Sequence, residues 1–156
     1  MNTLTILVGS TSGTADSVAH AIAMDCADLV AHIDVQPMDL WEAAQLAQHT
    51  TPVLVCCATH GSGDVPDNAA GLYTSLLHNP AYLGHLRYGV ISLGDLASYP
   101  QTFAMGGQRF DTVLQDLGAR RLGEPCLLDA SADDLPESVA IAWCRQWLHD
   151  WRDQLA

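Results

Sequence analysis

Two rhythms of apolar and polar positions alternate along this chain. Short apolar runs of strand length separate stretches in which apolar residues return every three or four positions, the spacing of one helix face. The runs predict strands over about Thr3–Val8, Ile33–Met38, Pro52–Ala58, Tyr88–Leu93 and Glu124–Leu128. The helical spacing predicts helices over about Thr14–Asp28, 68–78, Gln101–Leu117 and Pro136–Asp153, with a short helix or turn over Trp41–Ala47. Gly118 follows the third of these as a stop signal. Pro52–Ala58 is almost continuously apolar, as in a strand covered on both faces. Trp143, Trp147 and Trp151 lie at i, i+4 and i+8 and read as one helix face packed on the sheet. Strands alternating with helices predict an α/β fold: a doubly wound, five-stranded parallel sheet of order 2-1-3-4-5, helices on both faces. In such folds ligands bind at the carboxyl ends of the strands, beside the point where the winding reverses. That brings together the loops after Val8, Ala58 and Leu93.

Composition narrows the classes. With 156 residues the chain reads as one domain, 1–156, large enough for a real core. It is 49% hydrophobic and 15% charged, the balance of a globular protein. No apolar run approaches the roughly 20 residues that span a bilayer, and Met1 is not followed by a basic segment, so the cytoplasm is the expected location. The net charge is -12, and the six basic residues are all arginine. That excludes the basic footprint of a nucleic-acid binder and disfavours anionic membranes. It suits an acidic surface steered toward a basic partner, or one that only keeps the protein soluble. The five cysteines form no C-x-x-C pair and read as buried thiols; Cys56 and Cys57 point to opposite faces of one strand. The seven histidines show no ligand spacing, so no metal is expected.

Chemistry concentrates in the loops. After the first strand comes Ser10-Thr11-Ser12-Gly13-Thr14, five small or hydroxylated residues leading into a helix. A helix start offers unpaired N–H groups and the positive end of its dipole to an anion. No Lys or Arg occurs from Met1 to Leu86, and neither G-x-x-x-x-G-K-[ST] nor G-x-G-x-x-G is present. The loop suits one terminal phosphate held by neutral donors; the plainer reading is a helix cap. After the third strand comes Thr59-His60-Gly61-Ser62-Gly63-Asp64-Val65-Pro66-Asp67-Asn68, with more glycine than a simple turn needs. Asp64 and Asp67 read as a turn residue and a helix-start acid, and Asn68 as a cap or loop anchor. After the fourth comes Gly94-Asp95-Leu96-Ala97-Ser98-Tyr99-Pro100-Gln101-Thr102-Phe103.

These three loops resemble those of flavodoxins, here the short-chain, MioC-like group, and of the FMN domains of diflavin reductases. Ser10 to Asp16 matches S-x-[ST]-G-x-[TA]-[ED], with Ala15 in the diflavin-reductase version; Thr59 to Asn68 matches T-[YWH]-G-x-G-D-x-P-D-N. The third loop is similar to G-[DN]-x-x-Y-x-x-F, with one extra residue before its Tyr and one more between its Tyr and its Phe. The resemblance implies non-covalent FMN. Ser10, Thr11, Ser12, Gly13, Thr14 and Ala15 would cradle its phosphate, and Thr59, next to Ala58, would approach the phosphate or ribityl chain. His60 would lie on one ring face and Tyr99, with Phe103 nearby, on the other. The peptide joining Gly61 and Ser62 would turn toward the ring, with Gly63 completing the loop. Leu93, Gly94 and Asp95 would meet the pyrimidine edge, and Asp129 would close the site. It further implies a monomeric one-electron carrier between an NAD(P)H-dependent flavodoxin reductase and an acceptor enzyme. The alternatives are an FMN-dependent quinone or NAD(P)H reductase, and a binding module like a receiver domain. Ala58 and the absence of lysine speak against the last, which needs an Asp there and a Lys after strand five.

Overall fold

The computed structural model describes residues 2–10 and 12–156. In chain order the elements are β1 (Thr3–Gly9), α1 (Thr14–Asp25), β2 (His32–Pro37), α2 (Ala43–Gln48), β3 (Val53–Cys57), α3 (Asp67–His78), β4 (Arg87–Gly94), α4 (Met105–Asp116), β5 (Arg120–Arg121), β6 (Cys126–Asp129), α5 (Pro136–Asp150) and α6 (Arg152–Leu155). All strand pairs are parallel, in the order β2-β1-β3-β4-β5, with β6 also on β4. This is the expected doubly wound sheet. Side-chain alternation sorts its two cores. Leu4, Ile6, Val8, Leu54, Cys56, Ile91 and Leu93 face the layer of α1 and α5. Leu7, Val53, Val55, Cys57, Tyr88 and Val90 face the layer of α3 and α4. Cys56 and Cys57 thus point to opposite sides, and all five thiols are free and buried. Burial pushes the Cys126 thiol up to about 11.

Three boundaries differ from the pattern. The fifth sheet position holds two short segments: Arg120–Arg121 pairs with Arg87–Tyr88, and Cys126–Asp129 with Ile91–Gly94. Gly123, at φ +75°, turns the chain away between them. The Leu122 carbonyl is satisfied instead by the indole N–H of Trp147, at 2.7 Å. Second, α4 begins at Met105 rather than Gln101, because Ala104 takes a left-handed conformation, φ 54° and ψ 34°. Third, the last helix breaks at Trp151 before α6. Trp147 is buried, and Trp143 and Trp151 pack half-buried against the same core.

Candidate functional site

The carboxyl ends of β1, β3, β4 and β6 surround an open cleft. Its wall contains Ser12, Thr14, Ala58, Thr59, Gly61, Leu93, Gly94, Asp95, Tyr99 and Phe103. All ten are residues that the loop motifs single out. The motifs did not flag Thr102 and Ala104, which stand beside Phe103, or Leu128, Ala130 and Pro136 from the far rim. A signal existed for Leu128, since it ends an apolar strand that points its carboxyl end at the same place.

The first loop is organised from behind. Val8 and Gly9 end a fully buried strand, so the chain leaves the sheet there. The Asn68 side chain then spans the exit: its Oδ1 accepts the Ser10 N–H at 2.8 Å, and its amide donates to the Val8 carbonyl at 3.1 Å. The anchor reading of Asn68 is therefore what the fold uses. Ser10 Oγ accepts the Gly13 N–H at 2.9 Å and closes the loop on itself. Gly13 holds φ 92°, which a residue with a Cβ reaches at a cost, and turns the chain into α1. Among the described residues no side chain caps α1. The hydroxyl residues Ser12 and Thr14 stay exposed on the cleft side. The helix-cap reading of this loop thus finds no support in the described residues, and donors remain for an anion. Thr11 lies outside the described residues. Ala15 is buried beneath the loop, where its carbonyl accepts the Cys56 thiol at 3.5 Å.

In the second loop the backbone of His60 and Asp64 pairs in both directions, at 2.7 and 2.9 Å, with Gly61 at φ 54° and Gly63 at φ 122° between them. Gly61 reaches the cleft, whereas His60 and Ser62 are exposed, Gly63 is buried, and none of these three forms part of the wall. His60 is exposed and is not among the residues that line this cleft. The Thr59 hydroxyl is not free for a phosphate: it donates to the Leu93 carbonyl at 2.7 Å and accepts the Gly106 N–H at 2.9 Å.

The third loop is tied at nearly every residue. The Asp95 carboxylate accepts the Ser98 N–H and hydroxyl, both at 3.1 Å, and its carbonyl accepts the Tyr99 N–H at 2.9 Å. Asp129 is not among the residues that line the cleft; it holds this loop from the end of the neighbouring strand β6. One oxygen of Asp129 accepts from Leu96 N at 3.0 Å, Ser131 N at 2.9 Å and Ser131 Oγ at 2.6 Å. The Ser131 hydroxyl first, then the two N–H groups, keep its carboxyl below the ordinary carboxylate range. Tyr99, 43% exposed, and the half-buried Phe103 stand on the wall with Leu93 and Leu128. Behind them, Ser92 Oγ donates to the Ala104 carbonyl at 2.6 Å and accepts the Gly107 N–H at 2.9 Å. Gly106 and Gly107 let α4 come down onto the ends of β3 and β4: a Cβ on Gly106 would strike the Ala58 carbonyl, and one on Gly107 the Ser92 side chain.

A loop of neutral hydroxyl and backbone donors and a slot walled by Tyr99, Phe103, Leu93 and Leu128 sit side by side at the reversal of a doubly wound sheet. That pairing fits a planar heteroaromatic ring carrying one phosphate, and it defines an FMN-binding protein of the α/β class. The chain belongs to the flavodoxin family, whose model, described as Flavodoxin, matches residues 6–143. It is accordingly an FMN-binding flavoprotein. It is 44% identical over 95 residues to Flavodoxin YqcA of Pectobacterium carotovorum subsp. carotovorum, a match spanning 61% of this chain and 62% of that protein. It is 38% identical over 155 residues to the sulfite reductase [NADPH] flavoprotein alpha-component of Vibrio cholerae, covering 97% of this chain but 24% of the relative. Among solved structures, a mutant form of flavodoxin from Pseudomonas aeruginosa superposes with a TM-score of 0.79 at 30% identity, covering 96% of this chain and 99% of that one.

Proposed function

We propose that this chain, as one domain spanning 1–156, is a monomeric, cytoplasmic one-electron carrier of the short-chain, MioC-like kind. It takes electrons from an NAD(P)H-dependent flavodoxin reductase and delivers them to an acceptor enzyme. The observation that carries the reading is the start of α1, with no capping side chain among the described residues, beside an aromatic slot. FMN, when bound, supplies the redox chemistry. The chain's own residues position it. Ser12, Thr14 and the first-turn N–H groups of α1 hold the phosphate, with Ser10, Gly13 and Asn68 shaping the loop. Tyr99 and Phe103 flank the ring, and the backbone of Leu93, Gly94 and Asp95 meets its polar edge. Asp129 keeps that third loop in place.

The one carboxylate that lines the wall, Asp95, accepts from the Ser98 N–H and hydroxyl. The rim is acidic: Asp64, Asp67, Asp133 and Asp134 are all exposed around the cleft loops. Electron transfer from a reductase with a basic face should therefore slow as salt shortens the Debye length from about 10 to 3 Å. Stopped-flow reduction across that range, with NAD(P)H plus quinone and no reductase as the control, checks this. A salt-independent rate, or control turnover inside the range of about 1–10³ s⁻¹ typical of enzymes, contradicts it.

A further inference from the structure

We propose that Arg109 is a positioning residue for the second loop of the cleft. It clamps the Gly63 end of the 60–64 turn to α4 and leaves the Gly61 end free to fit the cofactor. This rests on the FMN reading above.

Arg109 lies in the second turn of α4, and its Nε–H donates to the Gly63 carbonyl. The other arginines bond elsewhere: Arg87 to Gly84, Arg121 to Gly123 and Asp111, and Arg145 to Asp25 and Asp28, while no bond joins Arg120 or Arg152 to a cleft loop among the described residues. In a chain whose first 86 residues contain no Lys or Arg, the one arginine bonded to a cleft-lining loop reaches it from a different layer. A charged donor makes the stronger kind of hydrogen bond, and the planar guanidinium fixes its direction.

The two glycines of the turn stand in different surroundings. A Cβ built on Gly63 would lie 3.3 Å from Thr102 Cβ and 3.6 Å from Met105 Cβ, so that half of the turn presses on the start of α4. A Cβ built on Gly61 would meet nothing within 4 Å. Inside the turn, Gly63 N and Asp64 N both donate to the His60 carbonyl, at 3.3 and 2.9 Å. Arg109 adds the bond that joins this small ring of contacts to a helix. The helix is itself fixed to the sheet by Thr59 at Gly106 and by Ser92 at Gly107. The circuit closes: Thr59 ties β3 to α4, and Arg109 ties α4 back to the loop that follows Thr59. Without it the turn remains covalently in place but samples more conformations, and those that fit the ring become a smaller fraction.

The test uses the full chain with and without FMN. Amide hydrogen exchange at Gly63 and Asp64 is compared in wild type, Arg109→Ala and Arg109→Lys, with the β3 amides as the measure of global folding. Titrations with FMN and with riboflavin follow. Arg109→Ala should raise exchange at both amides by about tenfold, as expected for losing a hydrogen bond from a charged donor, with β3 unchanged. It should weaken FMN and riboflavin by the same factor, because the clamp acts on the ring side rather than the phosphate side. Arg109→Lys keeps a charged donor and should recover most of the protection; it also serves if the alanine variant does not fold. Exchange at Gly63 and Asp64 within twofold of wild type overturns the clamp. Raised exchange with unchanged affinity for both ligands overturns its role toward the cofactor. A wild-type chain that binds neither ligand overturns the FMN reading instead, while the exchange data still judge the clamp.

Discussion

Two helices begin at the same cleft, and they begin in opposite ways. α1 starts at Gly13 with no capping side chain among the described residues, beside exposed Ser12 and Thr14. α4 starts with hydroxyls from the sheet already on its N–H groups, Thr59 on Gly106 and Ser92 on Gly107. One helix start keeps its donors for a ligand; the other commits them to the fold. The difference teaches where binding strength and where rigidity come from. Donors without partners at α1 gain most from an incoming anion. Donors satisfied at α4 hold the slot's wall in one shape before any ring arrives, which lowers the ordering cost of binding.

The largest effect should come from breaking the built side. Ser92→Ala leaves the buried Gly107 N–H without its acceptor, while the Ala104 carbonyl keeps the Gln108 amide at 2.8 Å. At about 1–3 kcal/mol for a buried group left unsatisfied, the loss should be about 1–3 kcal/mol, read by urea unfolding of the FMN-free chain. A loss under about 1 kcal/mol would mean that α4 is not held this way.

A smaller effect separates the two turn glycines. Gly61 already sits at φ 54° with open space around it, so Gly61→Ala should cost the fold about 1–2 kcal/mol. With that angle already present, the cost falls on the loop itself. Gly63→Ala should cost more, since φ 122° lies beyond the left-handed minimum and Thr102 is in the way. Thermal melts showing the reverse order would contradict the view that the turn's packed half is the one tied to α4.

The smallest effect is a control far from both helix starts. His49 sits at the amino ends of the strands, its Nε2 3.1 Å from Thr5 Oγ1 and 2.7 Å from Thr51 Oγ1. Burial lowers its pKa below 6.5, against a smaller pull upward from Asp34. The folded form therefore resists protonation more than the unfolded one. Its contribution is present above about pH 6.5 and is lost as pH falls through the folded value. His49→Gln should flatten the decline in melting temperature over that window. An unchanged slope would assign the decline to other groups.

How much of this was legible in the sequence follows from how local each piece is. The first loop could be read because its donors are contiguous, and because the missing lysine is visible as an absence. The sheet could be read because strands buried on both faces are apolar throughout. The bonds of the Thr59 hydroxyl could not be read because its partners lie 34 and 47 positions away, where the left-handed turn at Ala104 brings α4 down to meet it. The split of the fifth strand was hidden because its cause is one glycine angle and one indole N–H from another layer.

The central claim is that the open donors of the first loop hold the phosphate of the cofactor. Calorimetric titration of the FMN-free chain with FMN and with riboflavin, which differ by that one phosphate, tests it most directly. The account predicts one FMN per chain and riboflavin weaker by at least about tenfold, the value of a single charge-assisted hydrogen bond or more. Equal affinity for the two would contradict it.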